Sequence, residues 1–266
     1  MILKDDVQNL IDLFKNKGFK LYIVGGAVRD YLMGNVPYDY DFTTDALPED
    51  IINILNGYHL DTYQAKLGSI KVKINSEMYE ITTLREEHGV INTRYPKELK
   101  FTNDLKLDSL RRDFTINAVY YYDGNIYDYH QGKKDIDNKI IRIIGEAKRR
   151  IEEDPIRILR AIRFSLKLNF SIDQELFKQI NLNKKLLNKV GIIKYQELFK
   201  IFSLNNVDIC KYIDIFKECD EKINFEQILS SNVPLEEYLL LIDDETFNNI
   251  LMPKSLRSKM KIKRNN

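Results

Sequence analysis

Only two cysteines and three histidines occur in the 266 residues, and neither set has the spacing of a metal site. Cys210 and Cys219 lie nine residues apart without a CxxC, and His59, His88 and His130 are scattered. Neither a structural zinc nor a disulfide framework is expected, and both thiols read as small buried residues. No apolar run approaches the roughly 18 to 20 residues that a transmembrane helix needs. The start, Met1-Ile2-Leu3-Lys4-Asp5-Asp6, lacks the basic-then-apolar pattern of a signal peptide. No membrane span and a cytoplasmic address are therefore the expectations. A net charge of +1 argues against a protein that grips nucleic acid over its whole surface. There is no internal repeat and no low-complexity linker.

What is present fits an ordinary folded chain, with 44% hydrophobic and 30% charged residues. Basic residues gather locally, at Lys133-Lys134, Lys148-Arg149-Arg150, Arg157, Arg160 and Arg163, and from Lys254 to Arg264. Each run alone fits a solvated helix face. Several of them gain weight because they coincide with chemistry-bearing motifs.

Residues 19–24 are β-rich and run into Gly25-Gly26, after which Ala27 to Met33 reads as a short helix stopped by Gly34-Asn35. Asp39 to Phe42, Ile70 to Ile74 and Met78 to Leu84 read as extended segments. From about Ile151 the period becomes helical, over Ile156 to Leu168 and Leu186 to Phe202. The expected class is α+β: a mixed-sheet head over residues 1–144, a helical neck over 145–203 and a short helical body over 204–266.

Two glycines at a strand-to-helix turn let a phosphate approach the backbone, since no Cβ intervenes and the first helical N–H groups point outward. Gly25 and Gly26 meet that need, although a glycine pair by itself more often marks a tight turn. Arg29, one turn on, could reach phosphate oxygens, with Asp30 as an anchor. Asp39 and Asp41, two apart on an expected strand, would turn both carboxylates to one face. Two anions so placed repel unless a cation lies between them, which suits divalent magnesium and in-line displacement on a triphosphate. The bland alternative is an acidic surface loop. Glu80 is the best third acid, with Asp61 and Glu77 as alternatives.

The run Val24 to Asp30, followed by Asp39-Tyr40-Asp41-Phe42-Thr43-Thr44, resembles the first motif of the class II tRNA nucleotidyltransferase and bacterial poly(A) polymerase family. That family lies within the polymerase-beta-like nucleotidyltransferases. Three further blocks agree in order. Leu110 to Ala118 looks like the ribose-recognition motif, Gly132 to Ile136 like the head-to-neck hinge, and Glu153 to Phe164 like the base-selecting helix. The resemblance covers about residues 18 to 170 and implies template-independent addition of CCA to the 3′ end of tRNA from CTP and ATP, with Mg2+ and release of pyrophosphate. The partner it implies is tRNA, met at its 3′ end and acceptor stem.

It also implies roles. Asp39 and Asp41 would hold the metal, with Glu80 as a third catalytic acid. Gly25, Gly26, Arg29, Arg111 and Arg112 would meet the triphosphate, while Asp113 would accept from the ribose 2′-OH and Asn117 add a sugar or phosphate contact. Asp154 and Arg157 would read the base edge, with Arg160 nearby and Arg163 bracing the helix or touching phosphate. Asp154 before Pro155 also reads simply as a helix N-cap, and the two readings are compatible. The segment Arg85 to Glu98 looks like a full-length mobile loop, which favours a CCA-adding or A-adding enzyme over a CC-adding one. After residue 170 agreement weakens. The segment from Val190 to Lys200 lacks the expected Arg-containing helix start, and relatives usually continue past the point corresponding to Asn266, so a reduced tRNA grip is expected. An A-adding enzyme or a poly(A) polymerase is the nearest alternative. A non-catalytic RNA-binding protein on this scaffold is the alternative from another class.

Overall fold

The computed structural model describes residues 1–91, 95–191, 193–204, 207–220, 223, 225–230, 240, 243–249 and 254–264. It divides into two compact units, Met1–Gly145 and Glu146–Asn266.

The first unit is built on a seven-stranded sheet in the order β3-β4-β5-β2-β1-β8-β9. Its strands are β1 (Leu21–Val24), β2 (Asp41–Thr44), β3 (His59–Asp61), β4 (Ser69–Ile74), β5 (Glu77–Thr83), β8 (Val119–Tyr122) and β9 (Asn125–Asp128). β2 pairs antiparallel with β1 and parallel with β5, so the sheet is mixed, as the sequence predicts. Alternation divides the side chains between two faces. Leu21, Ile23, Phe42, Ile70, Val72 and Ile81 enter the main core, with α1 (Asp5–Asn16) and α3 (Pro48–Ile54). α1 presents Val7, Leu10, Ile11 and Phe14, all buried and at helical spacing; each such side chain contributes about 1.5–3 kcal/mol on burial. Asp5 and Asp6 in its first turn and Lys15 in its last suit the helix dipole.

The other face carries a smaller cluster, Tyr22, Val24, Leu84, Leu105 and Tyr120, and beside it the polar residues of the site. Between β5 and β8 lie β6 (Arg85–Ile91) and β7 (Tyr95–Phe101), which pair with each other as a separate two-stranded sheet. The sequence predicts a loop here. Across this hairpin Glu86 faces Lys100, a placement that favours the pairing; residues 92–94 lie outside those described.

α2 (Gly26–Leu32), α4 (Leu105–Leu110) and α5 (Gly132–Asp137) complete the first unit. α5 packs on the 3-10 turn Thr115–Asn117. Gly132 explains how closely: a Cβ there would lie 2.3 Å from the Thr115 carbonyl oxygen and 2.7 Å from Val119 Cγ2. Asp135, buried one turn on, accepts from Thr115 Oγ1 at 2.8 Å and from Arg142 Nε at 3.1 Å.

The second unit is chiefly helical. α6 (Ala147–Glu153) packs on α8 (Gln174–Asn183), and α7 (Ile156–Leu168) packs on α9 (Ile193–Phe202). The predicted stripe Ile158, Leu159, Ile162 and Leu166 is buried throughout. The helix expected from Leu186 to Phe202 is interrupted: a 3-10 turn ends at Lys189, Val190 is extended with φ −79° and ψ 125°, and α9 begins at Ile193. Cys219 is buried as expected, whereas Cys210 is exposed. Among the described residues no helix is long and apolar enough to cross a membrane.

Candidate active site

A single cross-strand row organises the site. Lys71 pairs with Glu80, Glu80 with Asp41, Asp41 with Val24, and Val24 with Tyr120. Residues paired across strands share a face, so the sheet register itself sets Glu80 beside Asp41 and Lys71 beyond it.

β2 begins at Asp41, and Asp39 lies in the bend before it rather than on the strand. Pro37, two residues earlier, has no N–H to give to a ladder, which keeps this approach outside the sheet. Asp39, Asp41 and Glu80 nevertheless line one cleft of about 500 Å3, together with Tyr38, Tyr40, Lys71, Ser76, Glu77, Met78 and Tyr79. Asp41 keeps an exposed edge in the cleft and is enclosed on its other side. That enclosure raises its pKa, Glu80 and Asp39 raise it further, and the Arg112 charge opposes them. Adding a proton relieves this crowding of negative charge, and so would a cation.

Of the other acids weighed from the sequence, Glu77 also lines the cleft, but it bonds to Lys4 Nζ at 3.0 Å and to the Tyr79 hydroxyl at 2.7 Å. Asp61 lies on β3 and accepts from the backbone N–H of Tyr63. Glu80 is held differently, with Oε1 accepting from Ser69 Oγ at 2.6 Å and Oε2 3.9 Å from Lys71 Nζ. The acids that line the cleft, Asp39, Asp41, Glu77 and Glu80, offer carboxylate oxygens, the ligand type that suits magnesium. No group of three or more ligands close enough to cage an ion is assembled among the described residues.

On the other side of Asp41 lies the glycine turn. Gly25 has φ 75° and ψ −131°, a conformation that favours glycine, and a Cβ there would lie 3.7 Å from Asp41 Oδ2. Gly26 opens α2. Arg29 does not project toward solvent: it is 3% exposed, and its guanidinium donates to Asp30 Oδ1 at 2.8 Å and to Asn117 Oδ1 at 2.8 Å. Arg29 and Asn117 therefore tie α2 to the turn Thr115–Asn117.

Arg111 and Arg112 share one buried acid that the sequence motifs do not single out. Asp108 is fully buried; Arg111 binds its Oδ1 at 2.8 Å, Arg112 binds its Oδ2 at 3.0 Å, and the Tyr120 hydroxyl donates to Oδ2 at 2.9 Å. Burial alone would raise the Asp108 pKa, but the two arginines, the tyrosine and the Arg85 backbone N–H outweigh it and bring it to about 2. Burial would lower the Arg112 pKa, and Asp108 together with Tyr120 reverses that and raises it. The signal was present, since Asp108 precedes Arg111 and Arg112 by three and four residues on a helical turn. Asp113 Oδ1 accepts from the Phe114 N–H at 2.8 Å.

In the second unit, Asp154 follows α6, and its Oδ1 accepts from the Ile156 N–H at 3.2 Å. The carboxylate thus satisfies the first helical N–H of α7, but the N-cap position is taken by Pro155 and the helix begins at Ile156, one residue later than expected. Arg157 bonds to the Arg150 carbonyl and lies 3.7 Å from Glu153. Arg160 and Arg163 both lie over the Phe164 ring, and Arg163 Nε donates to Glu197 Oε2 on α9 at 2.7 Å. Glu197 is buried and also binds Lys200 at 2.8 Å, so Arg163 braces α7 against α9.

Residues 21–142 match the family model of the poly A polymerase head domain. A CCA-adding enzyme of Staphylococcus aureus (strain MRSA252) is 40% identical over 177 residues, covering 66% of this chain and 44% of that protein. The chain carries a head domain of the poly A polymerase family over residues 21–142. It thus spans less than half the length of that staphylococcal relative. Among solved structures, the CCA-adding enzyme of Bacillus stearothermophilus in complex with CTP is 26% identical, with a TM-score of 0.77, covering 99% of this chain and 70% of that one. A tRNA nucleotidyltransferase complexed with a primer tRNA and an incoming ATP analog is also 26% identical, with a TM-score of 0.66, covering 96% and 83%.

Proposed function

We propose that the chain adds CCA to the 3′ end of tRNA from CTP and ATP, and that it does so in the cytoplasm. The observation that carries the reading is the row that sets Asp41 between the Gly25 turn on one side and Glu80 on the other. The relatives named for CCA addition, and the related structures holding CTP or tRNA with an ATP analog, support the choice of substrates.

Asp39 and Asp41 would hold Mg2+, which when bound supplies charge neutralisation between the carboxylates and the triphosphate. Gly25 and Gly26 leave room for phosphate at the backbone. Arg112, fixed by Asp108 and Tyr120 near Asp41, supplies a positive charge that needs no reorganisation when the reaction begins. Arg111 stands beside it on the same acid. Asp113 serves the ribose, and Asp154 with Arg157 and Arg160 serves the base. Arg29 and Asn117 act behind these groups as positioning residues, holding α2 against the turn. The RNA 3′-oxygen bonds to the α-phosphorus as the α–β bridging bond breaks. Pyrophosphate leaves with the bonding electrons, and the hydroxyl proton passes to a carboxylate oxygen of the Asp39, Asp41 and Glu80 set.

Replacing Asp39 and Asp41 together by alanine should abolish incorporation of labelled nucleotide into tRNA lacking its terminal residues, with the fold retained by circular dichroism. Incorporation by the double variant at the wild-type rate would sink the assignment.

A further inference from the structure

Nucleotide transfer, if the proposed function holds, gives the cleft a direction and therefore an acceptor side. In-line displacement needs the attacking oxygen opposite the departing pyrophosphate. The cross-strand row supplies such an axis through Asp41. Toward β1 and β8 lie the Gly25 turn and the Arg112 charge, the side fitted for triphosphate. Toward β5 and β4 lie Glu80, Lys71 and the open cleft with Tyr38 and Met78.

We propose that this β4–β5 side receives the RNA acceptor, with Tyr38 stacking on the base of its 3′-terminal nucleotide and Lys71 pairing with that nucleotide's phosphate. Tyr38 directly precedes Asp39 and is 81% exposed, and Met78 on the same cleft is 51% exposed. Large apolar side chains left in water beside a polar site gain when a flat aromatic surface covers them, and every base has such a face. Tyr38 is also steadied. Lys4 Nζ donates to the Tyr38 carbonyl at 3.1 Å, lies 5.4 Å from the ring centroid, and is itself bound to Glu77.

Lys71 has the character of a group waiting for another anion. Its side chain is half-exposed, and its ion pair with Glu80, at 3.9 Å, is at the limit of contact. Such a pair contributes little to stability and is readily exchanged. Glu80 would not drift on losing it, because Ser69 Oγ holds the other oxygen at 2.6 Å. A phosphodiester arriving beside the carboxylates of the cleft needs a cation at its own side, and Lys71 is the lysine that lines the cleft. If Lys71 served only to steady Glu80, its loss would change the chemical step and the magnesium requirement rather than the grip on RNA.

The test uses the full chain and a tRNA transcript lacking its last nucleotide, comparing wild type with Lys71→Gln, Lys71→Arg, Tyr38→Ala and Tyr38→Phe. Stacking and phosphate contacts of this kind predict that Lys71→Gln and Tyr38→Ala each raise the KM for RNA about tenfold. The KM for nucleotide, which reports an intact site, should stay within about twofold, and Lys71→Arg and Tyr38→Phe should restore most of the grip. The same ranking should appear in binding of a transcript ending in a 3′-deoxynucleotide, without nucleotide present. An unchanged KM for RNA in both disruptive variants would overturn the proposal, as would a Lys71→Gln defect confined to kcat and the magnesium requirement. A wild type that binds the transcript but transfers nothing would instead strike at nucleotide transfer itself, with the binding comparison still deciding the acceptor side.

Discussion

Asp108 shows best what a single residue does here. It is a buried anion with two guanidinium partners and a tyrosine hydroxyl, and it holds Arg111 and Arg112 in the positions from which they would meet a ligand. Removing one partner of such a set costs about 3–5 kcal/mol, because charges are left buried without compensation. Asp108→Asn should therefore lower stability by that order at neutral pH, as read by urea unfolding. Its pKa is lowered to about 2 in the folded chain from 3.8, so its contribution is fully present above the unfolded value and is lost as pH falls through about 2. The gap between wild type and variant should narrow over that range. A gap that is the same at pH 7 and pH 2.5 would show that the carboxylate charge is not what matters. The spacing to Arg111 and Arg112 made the ion pairs legible in the sequence, but not the burial or the hydrogen bond from Tyr120, twelve residues on. Arg29 is a second residue for which tertiary packing adds what spacing does not show. Its spacing after Gly26 is right for phosphate, but only tertiary packing shows the guanidinium turned inward to Asn117.

At the scale of elements, local patterns carried far. The strand, glycine turn and short helix at residues 21–32 are where the sequence predicts them, and the apolar stripe of α7 is buried residue by residue. Glu80 ranks first among three acids from its place on an expected neighbouring strand, and what sets it beside Asp41 is a parallel pairing between strands that are far apart in the chain. The β6–β7 hairpin was hidden because its charged residues gain their meaning only across the ladder. Gly132 belongs to this scale too. Its motif is visible in the sequence, and its cause is the approach of α5 to the Thr115 carbonyl. Gly132→Ala should push α5 off the turn that carries Asn117, with a loss of stability of more than about 3 kcal/mol, since backbone cannot yield as a side chain does. Thermal unfolding would check this, and a variant as stable as wild type would show that α5 relaxes without cost.

For the molecule as a whole, the head-domain match over residues 21–142 and the mixed sheet agree, and the chemistry of the cleft is the proposal that remains to be measured. The product is the claim that most depends on substrates. The most direct measurement is to incubate the protein and Mg2+ with tRNA transcripts ending before CCA, after CC and after CCA, with CTP and ATP supplied separately and together. Extension by two residues with CTP, completion with ATP and no growth of the finished end are the predicted results. Long ATP-dependent tails on unrelated RNA, or no incorporation into any transcript with either Mg2+ or Mn2+, would contradict the account.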